Sequence, residues 1–260
     1  MTDRPGQPRE PLPTSVELLP ELPAQYDRAL EAGLAALRLD LPSVARSAID
    51  THVRLLLAWT PFINLTSLRD PAEIATRHVI DSLSALQLIS GAEGRLLDLG
   101  SGGGFPGLPL AAARPDLDTA LVESVGKKTR FLSTVVAATG LADHVRVEAE
   151  RVEGSGQRPS DRATFAIVTA RAVGDLVELV ELAFPLLRIG GRLIAWKRTD
   201  VGAEVVAARR ALAAFGGGSI DVVPVGVAAL PGHVHVVVTK RGWTPEGYPR
   251  DPGLRKRRAP

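Results

Sequence analysis

The chain has 260 residues and a net charge of +2, with a hydrophobic share of 45% and a charged share of 23%. This composition is typical of a soluble globular protein with a substantial core. The absence of cysteine excludes disulfides, thiolate metal ligands and covalent catalysis by a thiolate. No apolar run reaches the length of a membrane span, and the amino terminus has no apolar signal core. We therefore expect a cytoplasmic protein without a membrane partner.

The first part of the chain is predicted to be helical after a disordered start. Residues 1–14 contain four prolines and few apolar residues, so we expect them to be disordered. Apolar residues then recur at helical spacing. The predicted helices run from Val16 to about Leu39, from Val44 to Trp59, from Asp70-Pro71, where proline takes its favoured first position, and from about Val79 to Ile89. Residues 15–92 are thus predicted to form a helical N-terminal extension.

Beyond Gly91 strands and helices are predicted to alternate, which is the pattern of a parallel sheet covered by helices. Predicted strands lie near 95–99, 118–123, 144–148, 164–170 and 192–197, and predicted helices near 106–113, 126–139, 173–187 and 201–215. Two further β-rich runs, 219–227 and 233–240, predict an antiparallel hairpin. Residues 93–241 are therefore predicted to form an α/β domain of the Rossmann-like class I methyltransferase type, a mostly parallel twisted sheet with a C-terminal antiparallel hairpin.

One glycine-rich segment lies where a ligand-binding loop is expected. Gly102-x-Gly104-x-x-Gly107 follows the apolar strand that ends at Leu99, and it leads into a helix with Pro106 in the first turn. The backbone of such a loop can come close to a ligand, so the sequence predicts a nucleotide-like ligand. The pattern also matches the dinucleotide-binding fingerprint, which leaves a nicotinamide-dependent oxidoreductase as an alternative.

The charge of Asp98, at the end of that strand, favours one ligand over the other. A pyrophosphate at this loop would meet the carboxylate, whereas S-adenosylmethionine has no phosphate and carries a cationic amino group and a sulfonium. Glu123 ends the second predicted strand, where a carboxylate can accept hydrogen bonds from the ribose hydroxyls of either ligand. The alternatives are a loop or helix cap for Asp98 and a solvated strand end for Glu123.

Five short motifs follow one another along the chain. They are Asn64-Leu65-Thr66, Arg77-His78-x-x-Asp81-Ser82, Asp98-Leu99-Gly100-Ser101-Gly102-Gly103-Gly104-Phe105-Pro106-Gly107, Gly126-Lys127-Lys128 and Thr169-Ala170-Arg171-Ala172. Over about Leu55 to Lys240 the sequence closely resembles the ribosomal RNA small subunit methyltransferase G family, also called glucose-inhibited division protein B. The resemblance implies methyl transfer from S-adenosylmethionine to N7 of one guanine in a 16S ribosomal RNA hairpin near the decoding site. The implied partner is 16S ribosomal RNA or the 30S subunit.

The resemblance also implies which residues bind the cofactor, namely Gly100, Phe105, Val152, Glu153 and Arg171. Together with the residues of the glycine loop and the two strand ends, the predicted cofactor-binding set is Asp98, Gly100, Gly102, Gly104, Phe105, Glu123, Val152, Glu153 and Arg171. No metal site is predicted, because the one close histidine pair, His233-x-His235, lies on an apolar strand and is interpreted as structural.

Guanine N7 has a free lone pair, so methyl transfer to it needs no general base, and the sequence shows no acid–base constellation. The protein is therefore predicted to act by positioning. The catalytic candidates are Arg171, Lys197 and His78, near the carboxyl ends of the predicted strands or on the helix leading into them. An internal salt bridge is the alternative for Arg171, and a core or capping role is the alternative for His78.

The predicted RNA contacts are cationic side chains. They are Arg77, Lys127 and Lys128, with Arg250, Arg255 and Lys256 in a basic C-terminal tail, residues 242–260. Such cations attract phosphates through counterion release, and solvated side chains are the alternative. A small-molecule methyltransferase and a non-catalytic RNA-binding factor are rival functions, and we expect a monomer.

Overall fold

The computed structural model describes residues 11–255. Residues 1–10 and 256–260 lie outside this described part, and with them most of the segment predicted to be disordered and the predicted RNA contact Lys256. Pro13, the thirteenth residue of that segment, accepts a hydrogen bond at its carbonyl oxygen from Trp59 Nε1 at 2.7 Å. Within residues 11–255 no helix has the length and apolarity that crossing a membrane requires.

Seven strands within residues 11–255 form a single sheet. They are β1 (Gly94–Leu99), β2 (Leu117–Val122), β3 (Val145–Glu148), β4 (Phe165–Arg171), β5 (Leu187–Arg198), β6 (Gly218–Pro224) and β7 (His233–Lys240). Their order across the sheet is β3-β2-β1-β4-β5-β7-β6. The first five pair in parallel, and β7 runs antiparallel to both β5 and β6. The predicted Rossmann-like α/β fold with a C-terminal antiparallel hairpin is therefore confirmed.

Helices cover both faces of the sheet and precede it. In the described part of the chain they are α1 (Ala24–Leu37), α2 (Ser43–Trp59), α3 (Pro71–Ile74), α4 (Asp81–Leu83), α5 (Gly107–Ala113), α6 (Gly126–Thr139), α7 (Val152–Gln157), α8 (Leu176–Ala183), α9 (Gly202–Ala211) and α10 (Pro252–Arg255). A π-helical turn, Ala75–Ile80, joins α3 to α4, and 3-10 turns cover Leu86–Ile89 and Leu212–Phe215.

The central strands are largely apolar because both faces of the sheet are covered. Leu96, Leu97 and Leu99 of β1 are at most 2% exposed, and β4 is buried from Phe165 to Ala170. Continuous apolar runs of this kind distinguish parallel strands from the alternating strands of a half-solvated sheet. The carboxyl ends of β1, β2, β4 and β5 therefore meet at one edge, where the site residues collect.

The N-terminal helices share a core with the sheet domain. The ring of Trp59 in α2 packs against Phe131 in α6, with ring centroids 5.5 Å apart, and Leu56 belongs to the same buried cluster as Leu108 in α5. Full burial of a side chain of this size stabilises a fold by roughly 1.5–3 kcal/mol. The shared core holds α2 directly beside the loop that connects β1 to α5.

The helix predicted from Val16 begins only at Ala24, so this prediction is wrong at its start. Pro20 and Pro23 interrupt the apolar pattern, and proline in a helix interior lacks an N–H and clashes with the preceding turn. The guanidinium of Arg54 donates to the carbonyl oxygens of Val16 and Pro20. Some backbone carbonyl groups of this segment therefore accept hydrogen bonds from a side chain instead of helical hydrogen bonds.

Two further differences lie in the second half of the chain. The helix predicted over 173–187 spans only α8, because β5 starts at Leu187, five residues before the strand predicted from 192. Helices α7 and α10 were not predicted, because six and four residues are too few to show a helical repeat.

The helix that carries the Arg77-His78 motif starts at Pro71, as predicted. Asp70 caps it, since its carboxylate accepts a hydrogen bond from the backbone N–H of Ala72 at 2.7 Å. The π-helical turn that follows is a form often found at functional sites. His78, inside this turn, and Asp81, directly after it, both contact the side chain of Arg171 at the carboxyl end of β4.

Candidate active site

The glycine loop leaves β1 at Leu99 with a backbone that other residues cannot easily adopt. Gly100, Gly102 and Gly104 have positive φ angles of 70°, 56° and 90°. At Gly104 a Cβ would also fall 2.4 Å from Leu108 Cδ1 and 2.9 Å from His52 Nε2. The loop therefore presents bare backbone at the edge of the sheet.

Asp98 lies directly beneath this loop and is fully buried. Its carboxylate accepts hydrogen bonds from Thr169 Oγ1 at 2.8 Å and from the backbone N–H of Gly107 at 3.2 Å. Burial raises the pKa of Asp98 to about 6, and these hydrogen bonds oppose the rise. The geometry matches the capping role that the sequence left open, while direct contact with a ligand stays a prediction.

Glu123 holds the other side of the loop. Its carboxylate accepts hydrogen bonds from the backbone N–H groups of Gly102 at 3.0 Å and Val125 at 2.8 Å. The residue is 7% exposed, so the interpretation as a solvated strand end is wrong. A carboxylate has about four acceptor positions, and two of them remain for the hydroxyls of a ribose.

Phe105, also predicted to bind the cofactor, lies between two histidine rings. The ring of His52 stacks on it at a centroid distance of 4.4 Å and the ring of His78 at 4.7 Å. His52 Nε2 lies 2.7 Å from the carbonyl oxygen of Gly103, and burial lowers the pKa of His52 to about 4. Sequence reasoning missed His52, although its place on the apolar face of α2, between Ile49 and Leu56, was a signal.

Arg171 is the centre of a buried polar cluster. Its Nη1 lies 3.2 Å from Asp81 Oδ2, and its Nη2 lies 3.1 Å from His78 Nδ1. Burial lowers the pKa of Arg171, and Asp81 opposes that shift. The internal salt bridge that the sequence left open is therefore present, in the same place as the predicted catalytic residue.

His78 is neutral in this cluster. Burial first, and Arg171 second, lower the pKa of His78 to about 3. Nδ1 of His78 lies 3.1 Å from both Nη2 of Arg171 and the carbonyl oxygen of Arg77, and Nε2 lies 2.7 Å from Thr66 Oγ1. Thr66, which the sequence marked as part of a motif, thus fixes the orientation of the ring.

A cavity of about 350 Å³ opens beside this cluster, at the carboxyl ends of β4 and β5. Its lining includes His78, Arg171, Trp196, Lys197 and His233. The volume falls within the range of pockets that bind small molecules, roughly 300–1,000 Å³. In the described residues no three side chains of metal-ligating type are grouped to hold an ion. The cavity therefore offers groups that can recognise an organic ligand, and one of them, the guanidinium of Arg171, lies 5.5 Å from the ring of Phe105 in the glycine loop.

Lys197, another catalytic candidate, lines the cavity with its charge already paired. Its Nζ lies 2.6 Å from Glu204 Oε2 and 3.1 Å from the carbonyl oxygen of Gly174. The adjacent Trp196 donates from Nε1 to the carbonyl oxygen of Asp81 at 2.8 Å. These contacts fix the wall of the cavity that β5 provides.

Two of the C-terminal cations predicted to bind RNA, Arg250 and Arg255, form ion pairs inside the described part of the chain. Arg255 forms ion pairs with Glu153 at 2.6 Å and Glu178 at 3.3 Å, and Arg250 pairs with the buried Glu181 at 2.6 Å. The alternative of solvated side chains is therefore wrong for these two arginines, because acids on α7 and α8 pair with them, and RNA binding by them stays a prediction.

The other predicted cofactor and RNA contacts lie apart from these ion pairs. Val152 is buried at the start of α7, directly before Glu153. Arg77 is about half exposed and lies 3.5 Å from Glu73. Lys127 and Lys128 lie in the first turn of α6, where no acidic side chain is present to offset them. An anion would be favoured there by both the charges and the helix dipole.

The fold and the loop define the class of protein. The chain is similar to the solved structure of a protein from Agrobacterium tumefaciens described as a predicted O-methyltransferase, with a TM-score of 0.50. The two share 21% identity, and the match covers 62% of this chain and 80% of that one. At this identity the similarity shows the fold alone, which is that of the class I methyltransferases.

Sequence comparison then gives the family. Residues 45–226 match the family described as rRNA small subunit methyltransferase G. Proteins named Ribosomal RNA small subunit methyltransferase G from Roseiflexus castenholzii and Chloroflexus aggregans are 45% and 44% identical to the chain. These matches cover 85% and 78% of this chain, and 94% and 85% of the relatives. The chain belongs to the rRNA small subunit methyltransferase G family, as predicted, and S-adenosylmethionine follows as its cofactor.

Proposed function

We propose that the chain transfers the methyl group of S-adenosylmethionine to N7 of a guanine in 16S ribosomal RNA. One observation carries this proposal: in a member of this family, a cavity large enough for a nucleobase is lined by Arg171, whose guanidinium lies 5.5 Å from the ring of Phe105 in the glycine loop. Such a substrate would also place the protein in the cytoplasm, with the small ribosomal subunit as partner.

The residues around the loop fit the methyl donor. A Cβ at Gly102 would meet only the carbonyl oxygen of Gly100, at 3.7 Å, so this part of the loop is open to a ligand, and Glu123 keeps acceptor positions for a ribose. Asp98 has no ion-pair partner among residues 11–255, so its charge favours a cationic ligand over a pyrophosphate. S-adenosylmethionine supplies an electrophilic methyl group on a cationic sulfur.

The protein's part in the reaction is to position the base and to exclude water. Guanine N7 attacks with its own lone pair, so no side chain has to remove a proton. The nearby histidines fit this requirement, because the low pKa values of His52 and His78 keep both rings neutral. Arg171, held by Asp81, provides a fixed cation at the cavity wall, and alignment of reacting groups can supply several kcal/mol.

The RNA around the target base would bind to cations near the cavity. Arg77 and Arg198 line it, and Arg198 is exposed and forms no ion pair within the described residues. Lys127 and Lys128 at the start of α6 would contact phosphate further along the strand. Replacing these four residues should weaken binding to all RNA sequences equally and reduce its salt dependence.

The test measures transfer of a labelled methyl group from S-adenosylmethionine to 30S subunits and to naked 16S RNA. We expect label in one of these two substrates and at least a hundredfold less with Arg171→Ala. The control is Arg209→Ala, on the surface helix α9, which should transfer methyl groups at the rate of the unaltered chain.

Each rival function predicts a different result. Label in small metabolites but in neither RNA substrate would identify a small-molecule methyltransferase. Salt-dependent RNA binding with no transfer would identify a non-catalytic RNA-binding factor. Tight binding of NAD in calorimetry, without binding of S-adenosylmethionine, would identify an oxidoreductase and contradict the proposal.

A further inference from the structure

His233 was interpreted from sequence as a structural residue, but its ring borders the cavity. It is the first residue of β7 and lies opposite Arg198 of β5 in the antiparallel register. Its Nδ1 lies 2.9 Å from Oδ1 of Asp81, and its side chain is 19% exposed. The residue is thus anchored on one side and accessible on the other.

The anchor determines the chemistry of the free nitrogen. Asp81 is 2% exposed, and its second carboxylate oxygen, Oδ2, accepts a hydrogen bond from Nη1 of Arg171 at 3.2 Å. An ionised carboxylate only accepts hydrogen bonds, so Nδ1 of His233 carries the proton. When the ring carries this one proton, Nε2 is an acceptor, and no hydrogen bond joins it to another residue among residues 11–255.

Few other ionisable side chains of the cavity can accept a hydrogen bond. Four of them are arginines or lysines, which only donate: Arg77, Arg171, Lys197 and Arg198. Nδ1 of His78 is engaged by Arg171, and both oxygens of Asp81 are engaged. Nε2 of His233 is therefore the one ionisable acceptor of the cavity with no partner in the described structure.

The sheet order places this acceptor across the cavity from the cofactor loop. From β1, which carries the loop, the strands follow in the order β4, β5 and β7. Neighbouring strands are about 4.8 Å apart, so β7 lies roughly 14 Å from β1. A base between them has one edge towards the loop and the opposite edge towards His233.

The chemistry of guanine matches this arrangement. The edge with N7 must face the methyl group, and the opposite edge then carries two hydrogen-bond donors, N1–H and the 2-amino group. Adenine has neither donor on that edge. Resting on the proposed function, we propose that His233 is a specificity-determining residue whose Nε2 accepts a hydrogen bond from N1–H or the 2-amino group of the target guanine.

The test first maps the guanosine that the unaltered chain methylates, and then places inosine or 2-aminopurine at that position. Inosine lacks the 2-amino group, and 2-aminopurine lacks N1–H. We expect one of these analogues to lower kcat/KM by about tenfold, the effect of leaving one buried hydrogen bond unmade. His233→Ala should lower kcat/KM on the guanosine RNA by about tenfold and show no further loss with that analogue.

Two variants separate recognition from folding. His233→Gln keeps an acceptor atom and should restore part of the preference for guanosine. His144→Ala, before β3 at the opposite edge of the sheet, where Nε2 of the ring lies 3.2 Å from the carbonyl oxygen of Ala111, should keep full activity and preference. Affinity for S-adenosylmethionine should be the same in all these proteins.

Other results overturn the proposal. If each analogue lowers kcat/KM of His233→Ala as much as it lowers kcat/KM of the unaltered chain, His233 does not contact that edge. If neither analogue affects the unaltered chain, or if the variant loses cofactor affinity and activity on every RNA equally, the role of His233 is structural. Failure of the proposed function looks different, because the unaltered chain would then methylate no guanosine at all.

Discussion

Replacing Asp98 with Asn tests whether burial, rather than ion pairing, controls the pKa of this carboxylate. Burial raises its pKa from 3.8 to about 6, so the folded chain binds more protons than the unfolded chain between these values. The free energy of unfolding then falls as the pH rises through that window. The difference between the two pKa values corresponds to about 3 kcal/mol.

Asparagine keeps the size of the side chain and one acceptor oxygen for Gly107 or Thr169, but it does not titrate. Urea unfolding of both proteins, followed by tryptophan fluorescence, would give their stability difference at each pH from 4 to 7. We expect the unaltered chain to lose about 3 kcal/mol relative to Asp98→Asn as the pH rises across this range. Other titrating groups cancel in the comparison.

Two results would refute the reasoning. A stability difference that stays constant with pH would mean that burial does not shift the pKa. A difference that moves in the opposite direction would mean that the folded chain stabilises the ionised carboxylate.

A bound cation should also favour ionised Asp98, so affinity for S-adenosylmethionine should weaken by about tenfold from pH 7 to pH 5, and this decrease should be absent in Asp98→Asn.

Three further substitutions have distinct expected results. Gly104→Ala places a Cβ against Leu108 at positive φ, so it should lower the free energy of unfolding in urea by about 1–3 kcal/mol and remove most of the cofactor affinity. The control is Gly140→Ala, which is also at positive φ but in open space and should keep that affinity in calorimetry. Asp81→Ala leaves the guanidinium of Arg171 buried without its acid and should lower unfolding stability by about 3–5 kcal/mol, and a loss below about 1 kcal/mol would argue against the buried pair. Glu181→Gln should release the C-terminal segment, seen as faster trypsin cleavage there, whereas an unchanged cleavage rate would count against its docking.

Much of the fold could be predicted because the apolar runs of the strands are local signals. β1 and β4 are largely apolar, and the glycine loop follows the first of them. The start of α1 was missed because helical spacing continued through Pro20 and Pro23. The π-helical turn could not be predicted, since a change of hydrogen-bond register leaves the spacing of apolar residues almost unaltered.

The site was predicted only in part, because its main contacts join distant segments. Arg171 was correctly placed at the end of a buried strand, but its partner Asp81 lies 90 residues earlier in the chain. The stacking of His52 on Phe105 depends on how α2 packs against α5. Periodicity describes one segment at a time, so it could not show that His233 borders the same cavity.

The most direct test of the account identifies the methylated nucleoside. After reaction with 30S subunits or 16S RNA, the RNA is digested and its nucleosides are separated by liquid chromatography and mass spectrometry. The account predicts one new nucleoside, 7-methylguanosine, which is absent from the reaction with Arg171→Ala. A methyl group on another guanine atom, on another base or on ribose would contradict the arrangement of loop and cavity described above.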